Sequence, residues 1–153
     1  MSLYLDIETD WSRQITVIGL YHRRTFRQLV GREVTAGRLH QLLPRSATIY
    51  TFNGHCFDLP VIKGQLGIDL RSRYPSVDLR YVCKGRGLTG GQKLIEQRLG
   101  IARRLPGMDG RDALYLWQQY QADGDEGALR LLLAYNREDV LNLARIHAMM
   151  EQS

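Results

Sequence analysis

Near the N-terminus, Leu3-Tyr4-Leu5-Asp6-Ile7-Glu8 alternates with period two. Leu3, Leu5 and Ile7 fall on one face of an extended strand, and Tyr4, Asp6 and Glu8 on the other. Two carboxylates on one face of an otherwise apolar strand are costly to bury without a proton or a cation as partner. At i and i+2 they bring hard oxygen ligands near one point, which suits Mg²⁺ or Mn²⁺. The alternative is that both acids sit at the strand end, solvated or paired with arginine.

The rest of the chain reads as α/β. Ile15 to Tyr21 and Arg24 to Leu29 are β-branched and aromatic runs on either side of His22-Arg23, predicting a hairpin that completes a three-stranded antiparallel meander. A short helix over 35–43 stops at Pro44, and a buried strand over 47–52 ends at Asn53-Gly54. Leu59 to Leu66 predicts a helix with Pro60 in its first turn and Gly67 just past its end. Val77 to Val82 predicts a fifth strand, glycines 85, 87, 90 and 91 a loop, and 92–99 a helix. Helices over 111–121 and 126–151 close the count at five strands and about five helices. The expectation is one domain spanning 1–153, with no linker or repeat.

Two further segments carry acids. Asp58 follows the fourth predicted strand and opens a helix, where it serves as a helix N-cap or converges with Asp6 and Glu8 in the crevice at the strand ends. Tyr135 and Asp139 are four apart and share a helix face. Asn136-Arg137-Glu138-Asp139 also reads as a capping sequence that starts a fresh helix.

In order, Asp6-Ile7-Glu8-Thr9, Asn53 through Pro60 and Tyr135-Asn136-Arg137-Glu138-Asp139-Val140 resemble the three motifs of the DEDD exonucleases, in the subtype with tyrosine in the third motif. The middle motif is similar to that of the proofreading domain of family B DNA polymerases, and the whole chain resembles a YprB-type ribonuclease H-like domain. Leu94 to Gly100, Asp109 to Ala113 and Leu116 to Tyr120 echo the same pattern as scaffold. The resemblance implies a ribonuclease H-like fold: a mixed five-stranded sheet, three antiparallel strands then two parallel, flanked by helices. It implies 3′-5′ exonuclease activity on single-stranded DNA or RNA with a free 3′ end, releasing nucleoside 5′-monophosphates by a two-metal-ion mechanism with Mg²⁺ or Mn²⁺. On that pattern Asp6 bridges both ions, Glu8 and Asp139 complete the first site, and Asp58 holds the second through water. Tyr135 aims the attacking water, and Thr9 and Asn53 are lesser candidates for substrate contact. The competing readings are an endonuclease of the same fold and a non-catalytic nucleic-acid-binding module of a repair or replication complex.

Charge agrees with a polyanionic partner. With 21 basic and 16 acidic side chains the net charge is +5, which favours nucleic acid by counterion release. Arg86, Lys84, Arg103 and Arg104 either track a backbone or form a solvated basic face. His55 reads as a spacer, and His22, His40 and His147 share no ligand spacing, so no zinc site is expected. Cys56 and Cys83 imply no disulfide framework. The apolar runs fall short of the roughly 20 residues that span a bilayer, and the N-terminus lacks a basic n-region; the expectation is a cytoplasmic protein without membrane contact. With little length for a substrate-gripping insertion, grip on the strand is left to a protein partner or to a homo-oligomer.

Overall fold

The computed structural model describes residues 1–152. Five strands, β1 (Ser2–Thr9), β2 (Ile15–His22), β3 (Thr25–Val30), β4 (Thr48–Thr51) and β5 (Ser76–Asp78), form one sheet in the order β3-β2-β1-β4-β5. β1, β2 and β3 pair antiparallel, and β4 and β5 add in parallel. Among the described residues seven α-helices follow the strands or connect them, besides a single 3-10 turn (Gly31–Glu33): α1 (Ala36–Leu42), α2 (Asp58–Leu66), α3 (Leu70–Arg73), α4 (Leu79–Gly85), α5 (Gln92–Leu99), α6 (Gly110–Asp123) and α7 (Glu126–Glu151). This is the expected mixed α/β sheet, consistent with a ribonuclease H-like fold.

The alternation of β1 divides the interior. Leu3, Leu5 and Ile7 pack with Leu39, Leu59, Ile62 and Leu70 on the side of α1 to α3. Tyr4, on the opposite face, packs with Ile95, Leu143 and Ile146 on the side of α5 and α7. Asp6 and Glu8 continue that second face, so the strand delivers both acids beneath α7. The close approach of α7 depends on Gly19, the partner of Asp6 on β2. A Cβ there would collide with Asn136 Oδ1 and Val140.

Several boundaries differ from the sequence expectation. The hairpin turns at Arg23-Arg24, both at positive φ (50° and 63°), rather than at His22-Arg23; two such residues make the two-residue turn whose twist matches the strands. The fifth strand is three residues long instead of reaching Val82. Asp78 ends it because its carboxylate accepts from the Arg80 amide and starts α4. The short α3 lies between α2 and β5, where no element was expected. Asp58 is not a cap: Phe57 takes that position and Asp58 is the first helical residue. α7 runs unbroken through Asn136, so no new helix starts there. Among the described residues no helix is long and apolar enough to cross a membrane.

Candidate metal centre

β4 pairs with β1 only from Ser2 to Tyr4, so further along β1 the Ile7 amide has no strand partner on that edge. The Asp58 carboxylate fills the gap, accepting from Ile7 N at 2.9 Å. A residue from the start of α2 is thereby tied to the backbone between Asp6 and Glu8. From the other side, α7 brings Tyr135, Asn136 and Asp139. Asn136 is fully buried, and its Nδ2 lies 3.3 Å from the Asp6 carbonyl, Asp6 Oδ2 and Glu8 Oε2. Its Oδ1 accepts from Gln28 Nε2 on β3 at 2.9 Å, which fixes the amide's orientation.

Oxygens of Asp6, Glu8 and Asp139 lie within 4.8 Å of one another. Asp58 stands beside this trio rather than within it, near enough to perturb Asp6 and Glu8 electrostatically. Tyr135 is buried, and its ring is flanked by Lys93 Nζ at 4.7 Å and Arg103 Cζ at 5.5 Å from the centroid. Thr9 sits half-buried at the end of β1, where a bulge shifts the register after Glu8. Asn53, also at positive φ, donates its amide to Asp78 Oδ1 and accepts from Arg80 through its side chain. His55 reaches Ser76 on β5.

Burial and mutual repulsion dominate the electrostatics. Burial first, then Glu8, Asp139 and Asp58, push the Asp6 carboxyl well above the usual carboxylate range. Burial and Asp139 push Glu8 up to about 8. Burial pushes Asp58 up to about 7 despite its backbone hydrogen bonds. Asp139 is raised by burial and held back by Lys93 and Arg103. Burial and the neighbouring carboxylates raise Tyr135, so its phenol stays a neutral hydrogen-bond donor. Crowded, desolvated carboxylates of this kind are a hard-oxygen donor set short of positive charge, and they fit a divalent ion of the Mg²⁺ or Mn²⁺ type.

A measurable pH dependence follows. A carboxyl whose folded pKa is raised stabilises the fold fully below its unfolded pKa, and that contribution is lost as pH rises through the folded value. For Asp58 and Glu8 the stabilisation is complete below about pH 4 and gone once pH has passed about 7 and about 8. Melting in EDTA should therefore fall by several degrees across that window, and Mn²⁺ should restore most of the loss at the alkaline end. A pH-independent melt in EDTA would contradict the cluster's electrostatics.

A second group of charges, centred on Arg103 and Glu96, lies beside Asp139. Arg103, expected either to track a backbone or to belong to a solvated basic face, is not on a solvated face: it is nearly buried and paired with acids. Its Nη1 bonds both oxygens of Glu96 at 2.8 and 2.9 Å, and its Nη2 donates to Asp139 Oδ1 at 2.7 Å. Glu96 is fully buried and also accepts from Gln92 and Asn142. The available signal was an acid at position 96 inside the packed helix 92–99, followed by arginine just past the αL glycine, Gly100.

A family model described as the RNase_H superfamily, RNase_H_2, matches residues 3–151. The chain belongs to the RNase H superfamily. No curated protein matches it. Membership points to a nuclease acting on nucleic acid, and the superfamily's general use of divalent metals agrees with the acidic cluster between β1 and α7.

Proposed function

We propose that this RNase H-superfamily chain is a metal-dependent 3′-5′ exonuclease, hydrolysing single-stranded DNA or RNA from a free 3′ end to nucleoside 5′-monophosphates. The observation that carries the reading is the meeting of Asp6, Glu8 and Asp139 within 4.8 Å, beside Asp58 and Tyr135 from the second and third motifs.

Asp6 would bridge two divalent ions, Glu8 and Asp139 would complete one site, and Asp58 would hold the other through water. Bound there, Mg²⁺ or Mn²⁺ supplies Lewis-acid stabilisation of the phosphoryl and leaving oxygens and lowers the pKa of water. The protein's part is positional. Asn136 fixes the spacing of Asp6 and Glu8 by donating toward both. The Ile7 amide fixes Asp58. Tyr135, neutral across the working pH range, orients the attacking water through its hydroxyl without giving up its proton. Thr9, beyond the bulge, and Asn53 at the end of β4 are the proposed contacts to the strand, and the net charge of +5 favours its approach.

The test uses oligonucleotides labelled at either end and a circular single strand, with Mg²⁺, Mn²⁺ or EDTA. The reading expects mononucleotides from the 3′ end, no cleavage in EDTA and an intact circle. Cutting of the circle would replace it with an endonuclease, and metal-independent binding without turnover would replace it with a binding module.

A further inference from the structure

Two cations flank the acidic cluster, and the fold treats them differently. Lys93 lies 3.7 Å from Asp139 Oδ1, on a side chain about a third exposed (32%). Arg103 is nearly buried, with 9% of its side chain exposed, and spans three carboxylates: Glu96, Asp139 and, 3.4 Å from its Nε, Glu138. Its placement is fixed from several directions. Glu96 is itself held by Gln92 and by Asn142, one turn beyond Asp139 on α7. Gln92 also donates to the Asp139 carbonyl. Glu138 is engaged by the Arg104 and Leu105 amides. The guanidinium cannot lose its proton, and its planar fork allows it to bind Glu96 and Asp139 at once.

We infer that Arg103 is a positioning residue and resident counter-cation for Asp139, anchored by Glu96. By occupying Oδ1 it leaves Asp139 a single oxygen for a metal and sets the free protein's divalent-ion affinity below what its carboxylates alone would give. This rests on the reading of Asp6, Glu8 and Asp139 as metal ligands. Two consequences separate charge from geometry. A permanent positive charge bonded to a ligand opposes a dication nearby, so removing it tightens metal binding. The same removal frees Asp139 to swing and to offer both oxygens, which spoils the geometry needed for turnover.

Isothermal titration with Mn²⁺, without nucleic acid, tests the proposal. Arg103→Gln should bind Mn²⁺ about tenfold more tightly than wild type while its turnover at saturating metal falls. Arg103→Lys keeps the charge but cannot span Glu96 and Asp139 together, so its affinity should stay near wild type while its turnover falls. Arg103→Gln strands a buried Glu96, which is strongly destabilising. The double variant Arg103→Gln/Glu96→Gln removes both halves of the pair and should also bind Mn²⁺ more tightly. Unchanged or weaker binding in a folded Arg103→Gln or double variant would overturn the inference while the metal-site reading stood. Undiminished Mn²⁺ binding by both Asp6→Ala and Asp139→Asn would overturn both.

Discussion

Asp6→Ala is expected to lower cleavage by about 10³-fold or more and to abolish the metal-dependent gain in melting temperature. Burial first, then Glu8, Asp139 and Asp58, raise the Asp6 carboxyl. Removing it takes away the group proposed to serve both ions, whereas loss of Glu8 or Asp139 removes a ligand from one. The apo protein should respond in the opposite direction. With the raised Asp6 carboxyl itself gone, its ionisation no longer destabilises the metal-free fold, which becomes more stable at alkaline pH. Thermal melts in EDTA and in Mn²⁺, beside a single-turnover assay, check both halves. An Asp6→Ala protein with full metal-dependent activity would end the assignment.

Tyr135→Phe should lower turnover by roughly 10²-fold with little change in Mn²⁺ affinity or stability, the size expected when one positioned donor is lost. The ring is packed between α6 and α7 near Val17, Trp117 and Leu132, and phenylalanine keeps that packing. What is lost is the hydroxyl facing the acids, which burial holds neutral. The activity of Tyr135→Phe should therefore keep the pH profile of the wild type, because the phenol does not ionise in the working range. A profile displaced on the alkaline side would mean that Tyr135 acts by proton transfer rather than by placement.

The proposed acidic ligands were legible in the sequence because each stands out from its local pattern. Asp6 and Glu8 place two charges on one face of an otherwise apolar strand, Asp58 follows a strand end, and Tyr135 and Asp139 share the spacing of one helical face. The five strands and the antiparallel meander followed from the apolar runs, whereas the parallel placement of the last two strands was implied by the resemblance. Where a single side chain ended an element, the sequence was less informative. Asp78 stops β5 by capping α4 and also receives the Asn53 and His55 amides, a tertiary role that local propensity does not encode. Arg103 and Glu96 were missed for a related reason. An arginine in a basic chain looks like surface until the buried carboxylates around it are placed, and those come from α5 and α7. Asn136 resembled a helix start because asparagine commonly caps. Its buried amide instead seats the first strand against the last helix, a contact between residues 130 positions apart.

That long separation has a consequence for synthesis. Asp6 and Glu8 are translated about 130 residues ahead of Asn136 and Asp139, so the proposed ligand set is complete only once α7 has been made. A polypeptide released before α7 would carry two crowded acids with neither their amide clamp nor their third carboxylate. The proposed nuclease activity would thereby be withheld from chains that stop short of α7 by the order in which its parts are made.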